Sequence, residues 1–224
     1  MKLEVRNVTK TIKHENTYME ILKGVNMECQ SGEIVAIVGN SGSGKSTFLN
    51  ILAMIDTCSS GEYYIEGMDV FRLSDNDRVD FRAKNIGIVF QQYNLINNLS
   101  CYDNVKIPLY VNHTVSKKDR DKWIREKLEM VGMTHRMSHF PKTLSGGEQQ
   151  RVAIARAIIN EPKIILADEP TGNVDLENEQ QILKLFRSIA KKGKLVIIVT
   201  HSQNVMAFAD TVYKINEGYL EKTK

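Results

Sequence analysis

The chain has 224 residues, 42% of them hydrophobic and 25% charged, and carries a net charge of +3. These values fit an ordinary globular protein with one or two compact lobes and exclude a low-complexity or disulfide-stapled chain; Cys29, Cys58 and Cys101 are odd in number, form no metal-ligand pattern and suit a reducing, cytosolic setting. No apolar run approaches the ~18 residues of a membrane span, the first residues lack the apolar stretch of a secretory signal, and no basic tail accompanies the mild charge to recruit nucleic acid.

Leu3 to Val8 alternates apolar and polar residues, the period of a half-buried strand. Ile34 to Val38 is a continuous apolar run, as in a strand buried on both faces. The spacing predicts a helix over Ser46 to Ile55, with Phe48, Leu52 and Ile55 on one side. Asn85 to Phe90 reads as another strand. From Leu95 to about Asn160 no buried strand is legible. Instead, Lys117 to Val131 sets Ile124, Leu128 and Val131 on one side of a charged helix whose other face is read as solvated surface. Gly146 to Asn160 reads as a second helix, ending before Pro162. Ile164 to Ala167 and Leu195 to Val199 are two more buried strands, separated by a helix from about Asn178 to Lys191. Asn216-Glu217-Gly218 reads as a turn joining two short strands. The alternation predicts an α/β fold: a parallel sheet covered by helices and interrupted by a helical insertion.

Gly39-Asn40-Ser41-Gly42-Ser43-Gly44-Lys45-Ser46-Thr47 fits G-x-x-x-x-G-K-[ST] between a buried strand and a helix. Its glycines let the backbone turn tightly, so that successive N–H groups and a helix N-terminus face phosphate oxygens. Lys45 is expected to reach the β- and γ-phosphates of a nucleotide, and Ser46 to hold Mg²⁺. Asp168-Glu169 ends a buried strand, at the edge where open α/β sheets place ligands. Asp168 suits a second metal contact, and Glu169 a base that polarises attacking water.

Leu144-Ser145-Gly146-Gly147-Glu148-Gln149-Gln150 holds the third element. Ser145 to Glu148 fits the capping box S-x-x-E. Two glycines in a first helical turn cost about 1 kcal/mol each relative to alanine, and a simple cap does not need them. A bare helix N-terminus also attracts an anion. Cap and anion site stand level on these residues, and the spacing does not say whose phosphate would bind.

Taken together the motifs resemble, over essentially the whole chain, those of the nucleotide-binding subunit of an ABC transporter. Gly39–Thr47 matches Walker A, Ile164–Glu169 Walker B and Leu144–Gln150 the signature motif. Gln91 matches the Q-loop glutamine, Asp175 the D-loop aspartate and His201 the switch histidine. The stretches Phe90-Gln91-Gln92-Tyr93-Asn94-Leu95 and Ala167-Asp168-Glu169-Pro170-Thr171-Gly172-Asn173 are similar to a subgroup serving macrolide or peptide exporters and lipoprotein release.

The resemblance implies a P-loop core with a mixed, mainly parallel sheet, an N-terminal antiparallel β subdomain and an inserted α-helical subdomain. Residues 1–91 and 163–224 would form the nucleotide-binding core, and 92–162 the helical part with the signature motif. It implies ATP and Mg²⁺ as cofactors, with Ser46, Gln91 and Asp168 toward the metal, and Glu169, His201 and Gln91 as the catalytic group. It also implies a head-to-tail dimer, in which Ser145, Gly146, Gly147 and Asp175 serve the partner's ATP. Integral membrane permease subunits are the expected partners, nucleic acid is not, and the expected place is the cytoplasmic face of the membrane. Ile12 stands where the family carries an aromatic residue against adenine, with Tyr18 as the nearby alternative. Tyr93, Leu95, Ile96 and Leu99 read equally as a docking groove or as helical core. The implied function is an ATP hydrolase that drives export or release of peptide, drug or lipoprotein. The alternative is a cell-division type regulatory ATPase that acts through a transporter-like membrane protein. A phosphate-loop GTPase is disfavoured, because no N-K-x-D motif is present. A fused translation or repair ATPase is disfavoured by the single motif set and short insertion.

Overall fold

The computed structural model describes residues 1–14, 17–111 and 115–224. Its centre is a six-stranded sheet built on the apolar runs. Strands β3 (Ile34–Val38), β6 (Ile86–Val89), β7 (Ile164–Asp168), β8 (Leu195–Thr200) and β9 (Thr211–Asn216) run parallel, and β10 (Tyr219–Lys222) pairs antiparallel with β9. The order is β10-β9-β3-β8-β7-β6. Alternate residues feed two different cores. Ala36, Ala167 and Ile198 face one cluster, while Ile37, Leu166 and Ile197 face the other. A strand with a core on each face has no polar positions, which explains the uninterrupted runs.

One core is closed by α1 (Lys45–Leu52) and a second, antiparallel sheet of order β2-β1-β4-β5. In that sheet β1 is Lys2–His14, β2 Thr17–Gln30, β4 Ser60–Ile65 and β5 Met68–Asp69. The expected antiparallel N-terminal part is therefore present, with β1 much longer than Leu3–Val8. A bulge interrupts β1 and β2 between Val5 and Val8. Asn7 there adopts φ 49°, and a Cβ on Gly24 would lie 2.7 Å from the Asn7 side-chain oxygen.

The helix after β3 is shorter than its apolar spacing predicts. Met54 turns left-handed at φ 55°, and the Ile55 amide bonds back to the Asn50 carbonyl at 2.9 Å. This Schellman closure swings Ile55 out of the core, 51% exposed.

The other core is closed by α3 (Cys101–Lys106), α4 (Arg120–Met130), α5 (Gly146–Ile158), α6 (Leu176–Lys191) and α7 (Gln203–Phe208). Helix α2 (Asp75–Asn85) leads into β6. Between β6 and β7 the described residues contain no strand, as the sequence indicates. Ile124, Leu128 and Val131 are buried, and most of the charged face of α4 meets solvent. Lys127 is the exception: it is buried against Glu161 and the Trp123 ring. Glu217 and Gly218, both at positive φ, form the turn between β9 and β10. Among the described residues no helix is long and apolar enough to cross a membrane.

Candidate functional site

The loop from β3 to α1 is shaped by sterics. A Cβ on Gly39 would lie 2.3 Å from the Ile215 carbonyl oxygen, and Gly42 and Gly44 sit at φ 76° and 102°. Gly44 is the N-cap of α1 and offers no side-chain acceptor, so the first-turn amides keep their donor capacity. Ser43 Oγ is buried with no protein partner. Lys45 curls over the loop, donating to Gly39 O at 2.9 Å and Asn40 O at 2.8 Å. A cluster of donors with one ammonium and no carboxylate cap is a phosphate cradle.

That loop forms one wall of a cleft of about 590 Å³. The strand ends supply the rest: Gln91 after β6, Asp168 and Glu169 at the end of β7, and His201 after β8. Ile21 of β2 adds an apolar wall. Four parallel strands thus deliver their carboxyl ends to one place, which no single stretch of sequence encodes.

Asp168 lies beside the Ser46 hydroxyl. Burial pushes its carboxyl up, and the neighbouring Glu169 charge pushes it further; Ser46 and Lys45 offset only part of this. A carboxylate short of positive charge beside a hydroxyl and a glutamine amide is a donor set suited to a hard divalent cation.

Glu169 has a left-handed backbone, φ 42°, which costs a non-glycine residue about 1 kcal/mol. Its amide is held by Val199 O at 2.9 Å. Its carboxylate accepts Thr200 Oγ1 at 2.9 Å and the His201 amide at 3.4 Å, and meets His201 Nδ1 at 2.7 Å. The Glu169 side chain is only 13% exposed, whereas that of His201 is 75% exposed. The pair therefore combines a sheltered carboxylate with a ring that leans into open cleft.

The signature residues stand apart from this cleft. Ser145 Oγ accepts the Glu148 amide at 3.3 Å, and Glu148 Oε2 accepts the Ser145 amide at 2.8 Å, so the capping box is closed. Arg136 braces Glu148 from outside at 3.2 Å. The hydrogen bond from the Ser145 amide, with Arg136 assisting, holds the Glu148 carboxyl below the usual range. The two glycines have neighbours within the chain. A Cβ on Gly146 would lie 2.8 Å from the Tyr93 hydroxyl, and one on Gly147 would lie 2.3 Å from Asn178 Oδ1. Close approach by the chain itself accounts for both, so their cost does not by itself argue for an anion.

The sequence profile described as "ABC transporter" matches residues 22–172, about two thirds of the chain. The chain belongs to the ABC transporter family. It is an ATP-binding cassette ATPase by that membership, and its relatives agree. It is 42% identical to the lipoprotein-releasing system ATP-binding protein LolD of Francisella tularensis, over 98% of this chain and 95% of that one. It is 42% identical to the macrolide export ATP-binding/permease protein MacB of Chlorobaculum tepidum, over 96% of this chain but 33% of that larger protein. Among solved structures it resembles the dimeric, post-hydrolysis state of the cassette MJ0796 bound to ADP and Pi. The identity is 40%, the TM-score 0.89, and 99% of each chain is covered.

In the cassette, Asp175 caps α6 and is engaged within its own chain. It accepts the Asn178 amide at 2.8 Å and the Asn178 side chain at 3.0 Å, which holds its carboxyl below the usual range. Asn178 in turn accepts Arg151 of α5 at 3.0 Å. Ser145–Gly147 and Asp175 thus belong to one corner, between α5 and α6, that lines no part of the cleft. Ile12 is 44% exposed and pairs with Met19 across the hairpin. Tyr18 pairs with Lys13, so it lies on the opposite face from Ile12. The apolar residue that lines the cleft is Ile21, on β2; alternation in that strand begins only at Val25, so no local sequence pattern marks Ile21.

The four candidates for a docking groove divide. Tyr93 rests over Gly146, Leu95 packs on the helical core, Ile96 is exposed, and the Leu99 carbonyl is held by Asn104. A groove of about 460 Å³ lies beside them, lined by Val79, Ile88, Phe90, Asn94, Val111 and Arg156 among others. Arg156 of α5 donates to the carbonyls of Tyr93 and Asn94 at 2.7 and 2.5 Å, and burial pushes its guanidinium down.

Proposed function

We propose that two copies of this chain close head to tail on two ATP molecules and drive a separate membrane permease. Loop 39–47 takes the phosphates, with Lys45 on the β- and γ-phosphates. Ser46, Gln91 and Asp168 would hold Mg²⁺. Bound there, the ion neutralises charge on the β- and γ-phosphate oxygens. Glu169 orients and deprotonates the attacking water, and His201, fixed by Glu169 through Nδ1, presents its other face to the γ-phosphate. Ser145 and Gly147, with Gly146 between them, bring the α5 N-terminus to the partner's γ-phosphate. Asp175 lies at the same interface. Ile12 and Ile21 supply apolar surface to adenine.

The observation that carries this reading is the separation of the two groups. The cleft holds every hydrolytic side chain, while the signature helix presents its N-terminus elsewhere on the same chain. A second copy satisfies both. ATP then favours the closed pair because the contacts to Ser145 and Gly147 exist only there. Residues 1–91 and 163–224 act as the catalytic part and 92–162 as the lever. A permease segment seats in the groove between them, where Arg156 reads the chain just after Gln91. Support for a permease comes from the names of LolD and MacB, and support for self-association from the dimeric MJ0796 cassette. We infer a peripheral place on the cytoplasmic face, and export or release of a peptide, drug or lipoprotein as the work done.

The test is Glu169→Gln with MgATP, followed by light scattering. The expected result is a stable dimer that forms only with ATP and disappears on Ser145→Arg. A variant that stays monomeric at saturating MgATP overturns the closure. Isolation from membranes with a bound permease, followed by ATP-driven substrate movement in the intact complex, separates transport from regulation.

A further inference from the structure

Glu179, in the first turn of α6, is 8% exposed. Buried carboxylates ordinarily pair with a cation or a metal. Among the described residues Glu179 has no ion-pair partner. Its oxygens instead accept three neutral donors, one from the turn after β7 and two from the start of α7: Thr171 Oγ1 at 3.2 Å, Ser202 Oγ at 2.9 Å and Asn204 Nδ2 at 2.8 Å. The N-terminal field of α6 favours the negative charge.

Those donors flank the catalytic pair. Thr171 lies just beyond Glu169, and Ser202 and Asn204 lie just beyond His201. His201 is too exposed for packing to hold its ring, so its place depends on the backbone on either side. On one side is β8. On the other is the segment 202–204, which Glu179 grips. The Ser202 amide donates to Thr200 Oγ1 at 2.9 Å, and that hydroxyl donates to Glu169 Oε2 at 2.9 Å. An unbroken path of hydrogen bonds and backbone runs from Glu179 through Ser202 and Thr200 to Glu169.

We propose that Glu179 is a positioning residue for hydrolysis, clamping residues 202–204 to α6 so that His201 stays aligned with Glu169. The proposal rests on the roles of Glu169 and His201 given above. A carboxylate accepts from all three donors at once, and its charge strengthens each bond; a glutamine loses that charge, keeps one acceptor oxygen and forces the hydroxyls to reverse and accept its NH₂.

The experiment is single-turnover hydrolysis with purified protein in excess over MgATP. Glu179→Gln is expected to slow hydrolysis about tenfold and leave ATP affinity unchanged, the scale of one hydrogen bond to a charged group lost from an aligned site. On a His201→Ala background the same change is expected to do nothing further, because no ring remains to be placed. Asn204→Ala removes one donor near the surface and is expected to slow hydrolysis roughly threefold with the same dependence on His201. This second variant carries the test if Glu179→Gln does not fold. A full rate in either variant, or the same factor on the His201→Ala background, overturns the positioning role while leaving the site reading intact. Normal hydrolysis by His201→Ala itself brings down the site reading and the positioning role together.

Discussion

In the cleft, α1 starts at an uncapped glycine, Ser43 Oγ is buried without a partner, and Glu169 sits in a left-handed conformation. At the corner between α5 and α6 the opposite holds. Ser145 and Glu148 cap each other, Asp175 is engaged by Asn178, and Asn178 is engaged by Arg151. Both regions are helix N-termini assigned to phosphate contacts. The cleft keeps hydrogen-bonding capacity and strain in reserve for a ligand, and it gains stability when that ligand arrives. The corner is already satisfied and offers a finished surface. A site that binds first needs open donors; a surface that completes a neighbour's site needs a fixed shape.

The largest break in this contrast comes from Lys45→Met. The only ammonium of the cradle goes, so hydrolysis is expected to fall about a thousandfold, while the melting midpoint without nucleotide stays put. Steady-state ATPase assays and differential scanning calorimetry read the two halves of that claim.

Glu169→Gly removes the proposed base and the backbone strain together. Hydrolysis should drop at least about a hundredfold, yet the nucleotide-free protein should gain about 1 kcal/mol in urea unfolding. A loss of stability instead would mean that the hydrogen bonds to the Glu169 carboxylate outweigh the strain.

At the corner, Gly147→Ala drives a Cβ into Asn178. Stability should fall by about 1–3 kcal/mol, and Asn178→Ala in the same chain, which removes the clashing amide without placing a glycine in α6, should recover part of it. If the second change recovers nothing, the Gly147–Asn178 approach is not what requires a glycine there.

Asp168 gives a smaller effect with a defined sign. Its carboxyl is raised in the fold, first by burial and then by Glu169. A raised carboxyl favours the folded state below its unfolded value, and that contribution is lost as pH climbs through the folded value. Asp168→Asn should therefore stabilise the nucleotide-free protein at neutral pH, with the advantage vanishing below the ordinary aspartate range. The same variant should lose the stabilisation that MgATP gives the wild type. Thermal melts across pH, with and without MgATP, follow both trends.

Much of the sheet was readable in the sequence, because β3, β7 and β8 each have a core on both faces and so admit only apolar residues. The antiparallel sheet was not readable residue by residue. β2 has one wet face, and the bulge around Asn7 and Gly24 breaks its alternation with β1. Helix α1 ends short of its apolar spacing for a local reason: the left-handed Met54 closes it, and nothing in the spacing of Ile55 announces that. Helix α6 begins two residues before the periodic signal, directly after its Asp175 cap, because the cap and not the apolar spacing sets its start.

The local motifs were determined by the sequence alone. Gly39–Thr47 and Asp168-Glu169 each occupy a junction whose chemistry follows from the residues in order, whereas Ser145–Glu148 specifies a helix cap and leaves open whether an anion binds it. Distances between junctions were decided only by the tertiary structure. Parallel pairing of β6, β7 and β8 brings Gln91, Glu169 and His201 to one cleft, and the crossing of α5 with α6 gives Gly147 its neighbour. These contacts join residues far apart in the chain, and their positions depend on strand order and helix packing, which no local pattern of residues encodes.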